Sequence, residues 1–169
     1  MDEQAITKAI LNVVQGMTAE NNKENGHVCK CGKHKMTLKK AKALAEIIES
    51  KAKEMGVNVI IAVADKGGNP IYMQAMDDAY IASWDIAQQK AYTAVALKMS
   101  TDTLATLAAP GGDLYGIQMT NQGKIVIFGG GEPLKAEDKI VGGLGVSGGT
   151  LAQDTLLAQF GRDKFKEII

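Results

Sequence analysis

The sequence predicts an α+β fold, an antiparallel sheet with helices packed on it. Three observations carry this reading. The apolar runs Val57–Asp65 and Pro70–Met76 flank Lys66-Gly-Gly-Asn69, a turn composition that joins two strands as a β-hairpin. Two further short strand-like runs, Lys124–Phe128 and Lys139–Ser147, follow a glycine-rich segment. Segments of helical periodicity open and close this region, which suits helices laid on an antiparallel sheet and not a doubly wound fold.

Composition bounds the rest. The chain has 169 residues, suited to one domain with additions, and is 46% hydrophobic. A chain of this size buries roughly 70% of its unfolded surface. The formal net charge is zero, so nothing suggests electrostatic capture of nucleic acid or of an anionic membrane. No apolar run reaches the ~20 residues of a transmembrane helix, and the N-terminus lacks the pattern of a signal peptide. Cys29 and Cys31 stand too close to close a useful structural loop, which points to a reducing, cytoplasmic setting.

Residues 1–17 read as an amphipathic helix, with Ile6, Ile10, Val13 and Met17 recurring at helical spacing. Residues 18–35 read as a flexible polar linker, rich in Asn, Glu, Lys and Gly. A striped helix on such a tether has little core of its own; it either docks in a partner groove or packs back on its own domain. Inside the linker stands His27-Val-Cys29-Lys-Cys31-Gly-Lys-His34, which holds both histidines and both cysteines of the chain. Thiolate and imidazole are ligands for zinc or another borderline or soft metal. The C-x-C spacing departs from zinc ribbons, and the C-x-x-C-H of covalent haem is absent; free thiols on a solvated basic linker are the alternative.

Thr37 to Met55 is the clearest helix. Leu38, Ala41, Ala45, Ile48, Ala52 and Met55 form its stripe, with Thr37 as N-cap and Gly56 just past its end. The first hairpin strand is apolar at almost every position, which predicts a central strand covered on both faces. Asp77-Asp78 is read as capping a helix over Ala79–Met99 whose apolar side is mostly alanine, able to sit close to a sheet or another subunit. Asp85 and Lys90 are five apart and do not pair on one face, so each meets something else. A short helix follows from Ser100 or Thr101 to Leu107, broken at Ala109-Pro-Gly-Gly-Asp113. Gly129, Gly130 and Gly131 cost about 1 kcal/mol each against alanine in regular structure, so either a tight turn or a close ligand or neighbouring chain requires them. Lys135–Asp138 reads as a polar turn. Thr150 and Gln153 form a capping box for a last helix to Gly161 that buries Ala152, Leu156 and Phe160, and residues 163–169 form a frayed C-terminal tail. Between strand and helix, Gly143-Leu-Gly-Val-Ser-Gly148 matches G-x-G-x-x-G formally, but no further strand follows for a dinucleotide fold.

Five blocks standing in this order carry a family resemblance: Ile61-Ala-Val-Ala-Asp65-Lys-Gly-Gly68; Ala82-Ser-Trp-Asp85-Ile-Ala-Gln-Gln-Lys90-Ala-Tyr92; Pro110-Gly-Gly-Asp-Leu-Tyr115; Ile127-Phe-Gly-Gly-Gly131-Glu-Pro133; and Val141-Gly-Gly-Leu-Gly-Val-Ser-Gly-Gly149. Together they resemble the GlcG/HbpS-like, or haem-degrading domain, family, which includes the C-terminal domain of the propanediol-utilisation cobalamin adenosyltransferase. The resemblance covers residues 36–162. It implies a profilin-like α-β-α sandwich, a homo-oligomer, often an octamer, and haem binding or handling. The adenosyltransferase domain is missing, so cobalamin adenosylation does not carry over. Asn69 stands where many relatives have His. The resemblance implies a haem ligand close before the first domain helix, where His34 fits best; the Cys29 and Cys31 thiolates are the alternative. The glycines Gly129, Gly130, Gly131, Gly148 and Gly149 would let a porphyrin approach flat. Residues 2–17 resemble the encapsulation peptides that dock microcompartment cargo on shell proteins.

Three functions follow as expectations. The first is a haem-binding accessory protein, cytoplasmic and packaged in a bacterial microcompartment, giving redox or cofactor-maintenance support. The second is an enzyme acting on a small molecule or on haem, with Asp65, Asp85, Lys90, Tyr92, Tyr115 and Glu132 as an acid–base set beside the glycines. The third is a non-catalytic assembly module. Both histidines precede the domain, which argues against a serine-type triad.

Overall fold

The structure, a computed structural model, describes residues 35–169. The helix read over residues 1–17, the linker, and the cluster of His27, Cys29, Cys31 and His34 lie outside the described residues.

Helix α1 (Leu38–Glu54) starts where Thr37 Oγ1 accepts a hydrogen bond from the Lys40 amide, and ends before Gly56, whose φ of 66° is the left-handed conformation glycine favours. Strands β1 (Ile60–Asp65) and β2 (Pro70–Ala75) form the expected hairpin. Asp65 Oδ1 organises its turn by accepting from the backbone amides of Gly67 and Asn69 at 2.7 and 3.0 Å. Then come helix α2 (Ser83–Ala96), the short helix α3 (Thr101–Leu107), strands β3 (Gly131–Ala136) and β4 (Lys139–Ser147), and helix α4 (Leu151–Ile168).

The four strands form one sheet in the order β2-β1-β4-β3, every neighbouring pair antiparallel. β1 is central, as its unbroken apolar run implies. Its residues alternate between two cores. Val59, Ile61 and Val63 join Leu144 and Val146 under α1 and α4, while Ile60, Ala62 and Ala64 meet Ala87 and Ala91 of α2 on the other face. This is a profilin-like α-β-α sandwich.

The α2 layer is unusually close to the sheet. A Cβ on Gly145 would lie 1.9 Å from the Ala87 carbonyl oxygen, and one on Gly143 would lie 2.3 Å from that of Ala91. The alanines of α2 and the glycines of β4 are therefore two halves of one packing solution. The first two glycines of the G-x-G-x-x-G match, Gly143 and Gly145, are thus helix–sheet contacts within β4, and the third, Gly148, lies in the turn after it.

Several local expectations give way. Lys124–Phe128 forms no strand; the edge strand begins at Gly131 and runs to Ala136, through residues read as loop and turn. The ladder with β4 decides this: Gly131 pairs with Gly145, and Pro133, which lacks a donor, is tolerated because β3 is an edge. α2 starts at Ser83, not at Ala79, and its N-cap Ala82 makes no side-chain cap; the chain at Asp78 is left-handed, with φ 61°. Leu38 is exposed instead of in the α1 stripe. α4 keeps its Thr150–Gln153 capping box but buries Asp154, Leu157, Ala158, Gly161 and Phe165, leaving Ala152 and Leu156 exposed and Phe160 half-buried. It continues past Gly161 to Ile168, because Phe165 is anchored in the α1 core at 1% exposure.

Candidate functional site: a cleft where β4 turns into α4

Ser147 ends β4 and Thr150 caps α4, so Gly148 and Gly149 make the whole connection. Gly148 has φ 146°, and a Cβ there would lie 2.4 Å from the Asn58 carbonyl oxygen, so this close turn requires glycine. Two hollows flank it and share Gly148, Gly149 and Tyr80. One, of about 330 Å³, is lined also by Ser83, Ile86, Phe128, Leu151 and Asp154. The other, of about 400 Å³, reaches Asn58, Asp78 and Gln153. Each falls within the roughly 300–1,000 Å³ of small-molecule sites. The first hollow is apolar and open, with Tyr80 72% exposed and Phe128 and Leu151 exposed beside it, whereas the second is bounded by the polar Asn58, Asp78, Thr150 and Gln153.

Beneath the cleft lies a buried charge pair. Lys90 is 0% exposed, and its ammonium donates to Asp154 Oδ2 at 2.7 Å and to the Val146 carbonyl at 2.8 Å. The Phe128 ring lies over it, 5.0 Å from Nζ to the ring centre. Asp154 Oδ1 accepts from the Gly149 amide at 2.9 Å. One carboxylate thus neutralises the lysine and pins the glycine turn. Burial holds the Lys90 pKa below the ordinary lysine value, while the charge of Asp154 and its hydrogen bond act the other way.

Of the glycines read as cofactor contacts, Gly148 and Gly149 line the cleft. Gly129, Gly130 and Gly131 are buried behind it. Missing side chains there leave room for Thr155, for the Lys90 ammonium and Val146 carbonyl, and for Thr101 respectively. The acid–base set does not converge. Asp65 is bound to its own turn, and Tyr92 packs under Gly68 with its hydroxyl near Asn121. Glu132 pairs with Arg162 at 3.2 Å, and Asp85 and Tyr115 are exposed. The reading that Asp85 and Lys90 meet other partners holds for Lys90. Its partner Asp154 was missed, as were Tyr80 and Phe128. One signal stood in the sequence: Lys90 shares a helical face with Ala87, Ala91 and Ala94, an apolar stripe where a lysine needs a buried counter-charge.

A flat, largely apolar molecule fits these residues. The glycine turn permits close approach, Tyr80 and Phe128 supply aromatic walls, and both oxygens of Asp154 already accept from protein groups. A porphyrin body meets that description. Of the described residues lining the cleft, Tyr80 alone carries a group with haem-ligand chemistry. Among the described residues no three His, Cys, Asp or Glu come together to hold a metal ion, and no helix is long and apolar enough to cross a membrane.

The fold and cleft define a profilin-like sandwich with a ligand-sized hollow at the end of its longest strand. Residues 36–163 match the family of haem degrading proteins described as HbpS-like, and the chain belongs to that family. The match begins after the His27–His34 cluster. The chain is 49% identical over 133 residues to an uncharacterized 15.0 kDa protein of the dhaT-dhaS intergenic region of Citrobacter freundii, covering 79% of this chain and 94% of that one. It is 42% identical over 109 residues to the corrinoid adenosyltransferase PduO of Citrobacter freundii, but the match spans only 32% of that protein. Among solved structures, Klebsiella pneumoniae ORFY superposes with a TM-score of 0.75 at 45% identity, covering 77% of this chain and 90% of that one. The PduOC:heme complex superposes with a TM-score of 0.74 at 34% identity, covering 80% and 95%.

Proposed function

We propose that the protein is a haem-binding accessory protein and that the cleft around Gly148-Gly149 is its haem site. The observation that supports this most is the coincidence of an aromatic-rimmed, glycine-floored cleft with a 34%-identical fold relative solved as a haem complex. His34 is the proposed axial ligand, supplied to the cleft by a neighbouring subunit of the oligomer, because Met36 packs against Gly142, about 20 Å along β4 from Gly148; a Cys29 or Cys31 thiolate is the alternative, and His27 completes a cluster that could instead take zinc. Haem would supply redox chemistry of iron to the site; the role of this chain's residues is to bind and shield it. Asp154 and Lys90 hold the turn rigid, and Tyr80 and Phe128 cover the ring.

The same reading includes the assembly. The protein forms a homo-oligomer, an octamer by analogy with the family. Residues 2–17 dock it to a microcompartment shell protein, through Ile6, Ile10, Val13 and Met17. The similarity to PduO supports a propanediol-type compartment. Exposed Tyr80, Trp84 and Ile81, the last 94% exposed, support burial of this face in an assembly or by a ligand.

Haemin titration followed by absorption tests the site. The native chain should give a saturable Soret shift at one haem per subunit. Tyr80→Ala with Phe128→Ala should weaken it, and His34→Ala should abolish the iron-ligand signature. Loss only in Cys29→Ser with Cys31→Ser would move the ligand to a thiolate. Absence of any shift in the native chain would remove haem and leave the assembly module. Deleting residues 1–17 should preserve folding while abolishing co-purification with shells.

A further inference from the structure

The β3–β4 hairpin carries a second concave surface, at the far end of β4 from the cleft. β4 has nine residues, roughly 30 Å of strand at about 3.4 Å per residue, so the two places are separate. A groove of about 480 Å³ is lined by Lys66, Lys98, Lys135 and Lys139, with Val95 and Ile140 as its apolar wall and Asp138 at its edge. A hollow of about 340 Å³ shares Lys98 and Lys135 and adds Arg162, Lys166 and Glu132. Six cationic side chains thus line the two hollows with Asp138 and Glu132, and Asp163 pairs with two of the six, Arg162 and Lys166, on a chain whose formal net charge is zero.

Four of the six cations make no ion pair among the described residues. Among the described residues, ion pairs engage Lys51, Lys53, Lys90, Arg162, Lys164 and Lys166, but none of Lys66, Lys98, Lys135 and Lys139. Lys98 adds a second, independent sign. It follows the C-cap of α2 with φ 58°, a left-handed position where glycine is relaxed and a side chain is strained. A lysine held there costs backbone strain, and it stands exposed beside three other lysines with no ion pair, so its charge is open to a ligand.

We propose that this groove binds a small organic phosphate. Lys98 and Lys135, common to both hollows, would take the phosphate charge, and Val95 and Ile140 would pack against the organic body. A monocarboxylate answers one positive charge and leaves the others repelling; a phosphate dianion or pyrophosphate answers two or more. The groove's size matches a nucleotide-sized molecule and not an extended polymer.

Calorimetric titration of the full chain tests this with two probes, inorganic pyrophosphate and adenosine monophosphate. Both should bind saturably at about 50 mM salt and more weakly at higher salt. Lys98→Gln with Lys135→Gln should weaken binding by at least about tenfold. Lys139→Gln alone, a milder variant, should weaken it several-fold. Lys53→Gln with Lys164→Gln, which removes two paired surface lysines elsewhere, should leave it unchanged, and thermal melts should show every variant folded. Tighter binding of adenosine monophosphate than of inorganic phosphate, titrated as a reference, would support the organic body on the apolar wall. Failure of both probes to saturate, or equal weakening in the control variant, would overturn the proposal.

Discussion

Asp154→Asn is the most informative single change, because it removes a charge and almost no volume. The Lys90 ammonium would remain at 0% exposure, still against the Val146 carbonyl and the Phe128 ring, but without its anion. An uncompensated buried charge costs about 3–5 kcal/mol. At about 2–4 °C per kcal/mol for a chain of this size, the melting temperature should fall by roughly 6–20 °C. Lys90→Met should cost less, about 1–3 kcal/mol, since Asp154 keeps the Gly149 amide and is 5% exposed at the cleft. Combining Lys90→Met with Asp154→Asn should therefore cost less than the two changes summed, with a coupling of about 0.5–3 kcal/mol. Urea unfolding of the four proteins, read by circular dichroism, measures this. A cost below about 1 kcal/mol for Asp154→Asn, with no coupling, would refute the claim that the pair is a neutralised buried charge on which the glycine turn rests.

Three further outcomes follow from other contacts. Gly145→Ala would place a methyl 1.9 Å from the Ala87 carbonyl oxygen, forcing α2 off the sheet by more than 1 Å; a loss of at least about 1–3 kcal/mol is expected in denaturant melts, and a neutral effect would contradict the close packing. Lys98→Gly should raise stability by up to about 1 kcal/mol while weakening pyrophosphate binding, since it relaxes φ 58° and removes a groove cation. Glu132 is held above the ordinary carboxylate pKa mainly by burial, opposed by Arg162. The folded state therefore binds its proton more tightly than the unfolded chain, whose value is about 4.3. That contribution to stability is fully present below the unfolded value and is lost as pH rises through the folded value. Glu132→Gln should flatten the melting-temperature profile across that window; an unchanged profile would assign the slope to other groups.

The elements governed by chemistry a few residues long were legible before any coordinates. The Thr37 cap, Gly56, the Lys66–Asn69 turn and the Thr150–Gln153 box each rest on hydrogen bonds or φ values set by near neighbours. The resemblance carried by five ordered blocks likewise reached the family, and with it the sandwich. The candidate site was legible in part. Gly148 and Gly149 were marked by their backbone demands, whereas Tyr80 carried no signal and Phe128 read as the end of a strand until the fold set them around one hollow.

Tertiary structure decided what depends on distant partners. The residues from Lys124 to Phe128 have strand composition but no ladder, while Gly131-Glu-Pro133 has poor composition and pairs with β4, because a strand exists only where another backbone answers its hydrogen bonds. The α4 stripe is rotated toward Leu157 and Phe165 because α1 and the sheet present their hollow there. Lys90 and Asp154 stand 64 residues apart, and only the closure of α4 over the end of β4 brings them to 2.7 Å. Local sequence governs turns and caps through near-neighbour geometry, whereas which strand pairs, which face is buried and which charges meet are set by burial and pairing across the whole fold.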